Sequence, residues 1–145
     1  MDHLELRIHR QKEGRSVRWV EELRVNGAVV ASGFAWDYLA LARSTASGGD
    51  YWLMVCGCGE PGCAGLVDPV RVENDDEVIS WHIVAPSPER RFRFSAAQYR
   101  SAIFGGLQRA NALVMKRDGK LPFGPSGFDR EKLKASLSSC SPPAG

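Results

Sequence analysis

The sequence predicts an α+β domain: an antiparallel sheet of about six strands, one long helix packed on a face of that sheet, and short additional helices. Segments with period-two alternation of apolar and polar residues are joined by short turns, which is typical of antiparallel strands. One long segment, from Ser95 to Arg117, carries apolar residues at helical spacing. The chain has 145 residues, the usual size of one domain. We therefore expect a single domain at residues 1–137 and a disordered tail at 138–145.

The composition excludes several classes of protein. With 43% hydrophobic and 25% charged residues, the chain is unlike disordered, collagen-like or membrane sequences. The net charge of +2 is too small to favour nucleic acid or an acidic membrane surface as the first partner. No apolar run approaches the roughly 18 residues of a membrane span, and the N-terminus lacks the apolar segment of a signal peptide. We expect a cytoplasmic protein without a membrane anchor.

The first quarter of the chain predicts an antiparallel meander. Residues 3–10 alternate with the period of a half-buried strand, and a polar turn is expected at 11–16. Alternation resumes over residues 17–25, where Glu21 interrupts it. Asn26-Gly27 is a strong signal for a two-residue hairpin.

The middle of the chain predicts one short helix and further strands. Residues 37–46 have helical spacing, and the apolar run Tyr51–Val55 suits an inner strand. A second hairpin is expected from residues 70–73 and 78–84, followed by a short strand over 91–95.

Strand periodicity assigns the residues of 78–84 to two faces. Ile79, Trp81 and Ile83 share one face, so His82 lies on the opposite face with Ser80 and Val84. We expect the apolar face to be buried.

The long helix has a recognisable start. Ser95 and Gln98 form a capping box. Gly105-Gly106 lies inside the helical segment, and two glycines there indicate close packing against a neighbour. Asp129 caps a last short helix expected near 130–138.

Cys56, Cys58 and Cys63 form a CxCx4C cluster in a glycine-rich loop. In an intracellular chain, such clustered cysteines indicate metal ligands or redox thiols before they indicate a disulfide framework. Structural zinc takes four nitrogen or sulfur ligands, so one ligand must come from elsewhere in the fold. We favour His82 because its strand is expected beside the loop. The other candidates are Cys140, His3, His9, Asp68 and Glu60.

Three alternatives to structural zinc remain for the loop. The site could hold catalytic or labile zinc with water in the fourth position. The cysteines could bind no metal and pack as small hydrophobic side chains. Cys56 and Cys58 could form a strained, reducible disulfide, although Glu60 would raise the pKa of nearby thiols by repulsion.

The loop from Cys56 to Leu66 resembles the post-SET zinc motif of histone lysine methyltransferases. In that motif a CxCx4C segment supplies three zinc ligands, and the SET domain supplies a fourth cysteine. The likeness covers about eleven residues, and the asparagine-histidine-serine segment of a SET core is missing. The resemblance therefore implies the geometry of a metal site and no methyltransferase activity.

A wider stretch, residues 51–103, is similar to small uncharacterised bacterial proteins with a Cys-x-Cys-Gly-x-x-Gly-Cys loop. In those proteins the loop precedes a valine-rich strand, a tryptophan-containing strand, a proline, a Phe-x-Phe segment and a tyrosine-containing helix. The matching positions here are Cys56 to Cys63, Val70, Val72, Trp81, Pro86, Phe92, Phe94 and Tyr99. The resemblance implies a bacterial origin and one domain, and it implies no reaction.

The favoured function is a bacterial binding or accessory protein with an unidentified protein partner, for example an immunity protein that covers a toxin. The first alternative is a thiol redox or zinc-dependent enzyme that uses the cysteine loop. The second is a weak nucleic-acid binder, because basic and aromatic residues interleave in one strand. Its candidate residues are Arg90, Arg91, Arg93 and Arg100.

Overall fold

The computed structural model describes residues 1–33, 35–55, 66, 68–85 and 88–116. Within these residues the chain forms nine strands and two helices, which confirms the α+β class. In chain order they are β1 (Leu4–Glu13), β2 (Ser16–Val25), β3 (Ala28–Gly33), β4 (Ala35–Trp36), α1 (Tyr38–Ser44), β5 (Gly49–Tyr51), β6 (Met54–Val55), β7 (Val70–Asn74), β8 (Val78–Ile83), β9 (Arg90–Ser95) and α2 (Ala96–Lys116). The helix expected near 130–138 and the tail expected at 138–145 lie outside the described residues.

The strands belong to three sheets, so the expected single sheet of about six strands is wrong. One sheet has the order β1-β2-β3, a second pairs β4 with β6, and the third has the order β5-β7-β8-β9. Among the described residues, the paired strands all run antiparallel, and Asp2 forms an isolated parallel bridge with Phe94 of β9. The segment predicted as one inner strand divides, because Tyr51 pairs with Val70 whereas Met54 pairs with Trp36. An apolar run indicates burial but does not specify which strand lies beside it.

The first two turns confirm one prediction and correct another. Asn26 and Gly27 adopt φ values of 55° and 83°, the left-handed pair that a two-residue hairpin requires. The turn expected at 11–16 is shorter, since β1 continues to Glu13 and β2 begins at Ser16. Gly14, with a φ of 59°, allows the chain to reverse within two residues.

Alternation along β8 produces the two predicted faces. Ile79, Trp81 and Ile83 are buried, while His82 on the opposite face is partly exposed. Trp81 lies at the centre of an aromatic cluster: its ring packs edge-on against Phe94 at 5.1 Å between centroids. The indole Nε1–H donates to Tyr99 Oη of α2 at 3.1 Å. A buried indole with its donor satisfied supplies apolar area without an unpaired polar group.

Both helices begin at side-chain caps. The short helix predicted in residues 37–46 is confirmed as α1. Its cap is Asp37, whose side chain accepts a hydrogen bond from the Ala40 backbone N–H at 3.0 Å. Ser95 Oγ accepts from the Gln98 N–H at 3.1 Å, as the capping box predicts. The reciprocal half of the box is absent among the described contacts, because the Gln98 side chain bonds both backbone groups of Leu4.

Helix α2 approaches β1 closely at one glycine. A Cβ atom on Gly106 would lie 2.8 Å from the Leu6 side chain, whereas, among the described residues, one on Gly105 would meet only Arg109 of the same helix. The close packing predicted from the glycine pair is therefore confirmed at Gly106. Arg109 adds a hydrogen bond of 2.6 Å from Nη2 to the Leu6 carbonyl. With Gln98, it covers backbone groups on the outer edge of β1, where unpaired groups would otherwise invite another strand.

The described part of the chain contains no helix that is both long and apolar enough to span a membrane.

Candidate functional site

The predicted metal site falls only partly within the described residues. Cys56, Cys58, Cys63 and Cys140 lie outside them. His82 lies within them, on β8. Among the described residues, no three His, Cys, Asp or Glu side chains are grouped closely enough to hold a metal ion.

His82 belongs to a hydrogen-bonded cluster. Its Nε2 lies 2.7 Å from Oε1 of Glu89, and the same oxygen accepts from Nε of Arg91 at 3.2 Å. These two hydrogen bonds, that of His82 first, hold the pKa of Glu89 below its ordinary value. Glu89 is therefore a carboxylate at neutral pH and orients both of its neighbours.

Around His82, two rows of side chains cross the four-stranded sheet. Strand register places His82 between Arg71 on β7 and Arg91 on β9. In the next row, Ser80 lies between Glu73 and Arg93. These rows lie on the side opposite the buried residues of β8. We refer to this surface as the outer face, consisting of Arg71, Glu73, Ser80, His82, Arg91 and Arg93.

The outer face contains a cavity of about 200 Å³. All six residues of the outer face line it, together with Trp81 and Phe92. Three of the lining residues are arginines and one is a glutamate. The cavity wall is therefore positively charged.

Within the described residues, the guanidinium groups of the outer face have exposed ion-pair partners or none. Arg71 Nη1 lies 3.4 Å from a carboxylate oxygen of Asp50, and both side chains are more than half exposed. Arg91 is 70% exposed in its pair with Glu89. Solvent screens exposed pairs of this kind, so they add little to stability. The guanidinium of Arg93 has no partner among the described residues.

The four arginines proposed for nucleic-acid binding do not share one surface. Arg91 and Arg93 are exposed on the outer face, whereas Arg90 alternates onto the other side with Phe92 and Phe94. The buried Nε of Arg90 has no hydrogen-bond partner among the described residues. Arg100 donates from Nε to the Thr45 carbonyl at 3.1 Å, so it links the end of α1 to α2.

Two histidines named as alternative zinc ligands lie in other surroundings. His9 Nε2 is 2.7 Å from Glu22 Oε1. His3 lines a groove of about 520 Å³ between β1 and α2. The polar side chains of that groove include Gln98 and Arg109, which already bond the backbone of β1.

Glu21 is a buried carboxyl that sequence reasoning did not single out as a candidate site. Its side chain is fully buried. Oε1 accepts from the Trp36 N–H at 2.9 Å and Oε2 from the Tyr38 hydroxyl at 2.8 Å. Burial raises the pKa of Glu21 well above its ordinary value, and the two hydrogen bonds only partly oppose this. The break in the alternation of β2 at Glu21 was the available signal, since an acidic residue occupied a core-facing position.

Glu22, the next residue, has charged neighbours, and its pKa is shifted in the direction opposite to that of Glu21. Glu22 points to the other face of β2, where Arg24 Nε donates to its Oε2 at 2.8 Å and His9 approaches its Oε1. Partial burial acts to raise the pKa of Glu22, but the hydrogen bonds and charges of His9 and Arg24 together outweigh it and hold the pKa below its ordinary value.

No protein-family model matches this chain, and neither a curated protein nor a solved structure matches it.

Proposed function

We propose that the protein is a binding domain and that its outer face contacts a partner protein. The observation that supports this most strongly is the convergence of three exposed arginines around one cavity, from the two strands that flank β8. Val72 on β7 and Phe94 on β9 are buried, and both strands pair with β8, so packing and hydrogen bonds fix the backbone that carries the arginines. A preformed surface loses little conformational freedom when it binds.

Several features favour a protein over a nucleic acid as the partner. Proteins that bind single strands stack bases on exposed aromatic rings. Here Phe94 is buried and Phe92 is partly buried on the core side of β9. Asp50 and Glu89 flank the arginines and would repel successive phosphates. A protein surface can present both signs of charge to such a pattern.

A variant with reversed charge tests this function. Tagged wild-type protein, the variant Arg91→Glu/Arg93→Glu and the control Arg15→Glu are used to capture partners from a lysate of the source organism. Arg15 is exposed in the turn between β1 and β2, on a different sheet. We expect proteins captured by the wild type and the control to be lost with the double variant, as measured by quantitative mass spectrometry.

One further measurement and two outcomes of the capture experiment complete the test. Thermal melting of all three proteins establishes that the double variant is folded. Capture of the same proteins in the same amounts by a folded double variant would contradict the proposed function. Capture of nucleic acid in place of protein would support the alternative of a nucleic-acid binder.

We further propose that the cysteine loop holds a structural zinc ion, with Cys56, Cys58, Cys63 and His82 as ligands. The pair formed by His82 and Glu89 is compatible with this role, because a zinc-bound histidine usually bonds a carboxylate through its other ring nitrogen. With Nε2 of His82 engaged by Glu89, Nδ1 would be the atom that binds the metal. Zinc would stabilise the loop and hold it beside the outer face.

Metal analysis tests the zinc proposal. We expect one zinc per chain in untagged protein purified under reducing conditions, a large fall in Tm after chelation, and loss of zinc in Cys58→Ser. Metal-free protein with four free thiols would refute the proposal. Zinc that is removed without a change in Tm would instead favour the labile or catalytic site. Reversible oxidation of two thiols without unfolding would favour the redox alternative.

A further inference from the structure

We infer that the cavity on the outer face receives the carboxylate of an acidic side chain from the partner protein. This inference rests on the proposed function and adds the chemistry by which the partner is recognised.

The charges that line the cavity favour an anion. Three arginines outnumber the single glutamate, so these four side chains together carry a charge of +2. The carboxylates that pair with Arg71 and Arg91 belong to Asp50 and Glu89, neither of which lines the cavity. The guanidinium of Arg93 has no partner among the described residues, while the Arg93 backbone N–H donates to the carboxylate of Asp2 at 2.8 Å. Among the described residues, the cavity lining itself therefore keeps an excess of positive charge, and the carboxylates of Asp50 and Glu89 lie outside it.

The spacing of the strands suits a small planar anion. Arg71 and Arg91 project from strands on either side of β8, so their backbones are about 10 Å apart. Long side chains from both sides can reach a group placed between them. The guanidinium fork matches a carboxylate in two parallel hydrogen bonds. Ser80, on the central strand, supplies a hydroxyl to the same cavity.

The surrounding acids select a protein carboxylate over a chain of phosphates. Asp50 lies beyond Arg71 on β5, and Glu89 precedes β9. Together with Glu73 in the wall, they limit the positive region to the cavity itself. One carboxylate fits there, whereas a polyanion would bring its next charges against these acids. The preferred ligand is a glutamate or aspartate with neutral or basic neighbours.

Side-chain NMR tests the inference directly. The arginine Nε–Hε signals of the full chain are recorded during titration with the peptide acetyl-Gly-Glu-Gly-amide and with its glutamine counterpart. We expect saturable shifts for Arg71, Arg91 and Arg93 with the glutamate peptide only. The affinity should fall about tenfold or more in Arg71→Gln/Arg93→Gln, because each lost charged hydrogen bond typically weakens binding by that factor. The control Arg15→Gln should bind as the wild type does.

Other outcomes separate this inference from the proposed function. Equal binding of both peptides, or no binding of either, would overturn the inference. Tighter binding of inorganic phosphate or of a thymidine octanucleotide than of the glutamate peptide would also overturn it, in favour of a phosphate ligand. If the glutamate peptide does not bind but Arg91→Glu/Arg93→Glu still fails to capture the partner protein, the inference is overturned and the proposed function is retained. Backbone spectra of each variant show whether the fold is retained.

Discussion

Replacing Glu21 with glutamine should stabilise the protein at neutral pH and flatten the dependence of its stability on pH. The carboxyl is fully buried, and its described donors, the Trp36 N–H and the Tyr38 hydroxyl, are both neutral. Glutamine has the same shape and no charge. Its oxygen can still accept from Trp36, and its amide can donate to the oxygen of Tyr38.

The direction and size of the effect follow from proton linkage. The pKa of Glu21 in the folded protein lies above the ordinary value of 4.5. Above pH 4.5, the Glu21 carboxyl loses its proton in the unfolded chain but keeps it in the folded chain. The free energy of unfolding then falls by about 1.4 kcal/mol per pH unit. Stability that is fully present below the ordinary pKa is lost progressively, and the loss ends once the pH exceeds the folded-state pKa.

The glutamine variant lacks this linkage. Near pH 4.5, its stability should differ from that of the wild type by about 1 kcal/mol, the contribution of one rearranged hydrogen bond. Its advantage should then grow by about 1.4 kcal/mol with each pH unit until the folded carboxyl of the wild type ionises.

Urea unfolding followed by tryptophan fluorescence measures this difference. Curves at half-unit intervals from pH 4.5 to 8 give the free energy of unfolding, and equal m-values confirm that the two proteins unfold alike. Glu77→Gln serves as the control, because Glu77 is exposed in the turn between β7 and β8. Parallel pH profiles for Glu21→Gln and wild type would refute the reasoning, since they would mean that this carboxyl ionises equally in both states.

Three further predictions concern stability and use the same urea assay. Gly106→Ala should destabilise by about 1–3 kcal/mol, because the new Cβ would lie 2.8 Å from Leu6. Gly105→Ala is the matched control and should stabilise by up to about 1 kcal/mol; equal effects at both glycines would contradict close packing. Ser95→Ala should cost about 1 kcal/mol through loss of the α2 cap, whereas Ser95→Asp should keep it. Because the pKa of Glu22 is lowered on folding, its stabilisation should be present above pH 4.5 and lost as the pH falls through the folded-state pKa. In Glu22→Gln, the free energy of unfolding should no longer show this contribution below pH 4.5. If the variant and the wild type depend on acidic pH in the same way, the hydrogen bonds of Glu22 are not maintained in solution.

Several features of the fold follow from local sequence. The alternation in β8 places His82 opposite Trp81 because strand side chains point to alternate sides. The hairpin at Asn26-Gly27 and the caps of both helices depend on residues only a few positions apart. Each of these interactions is available to the chain before any tertiary contact forms, so its sequence signature is reliable.

Long-range pairing could not be predicted in the same way. Tyr51 and Met54 are three residues apart and similarly apolar, yet they pair with strands of different sheets. The Gln98 side chain bonds Leu4, 94 positions away, instead of completing its capping box. Such choices depend on which surfaces pack together, and the apolar pattern of one segment does not record its partner.

The candidate site shows the same division. By itself, the sequence determined that His82, Arg91 and Arg93 face away from the core, because a period of two residues is a local property of a strand. Only the tertiary structure decided that Arg71 and Arg91 flank His82, that Glu89 engages it, and that a cavity lies among them. Register between strands is determined by cooperative packing of the whole sheet, and that packing brings together charges separated along the chain.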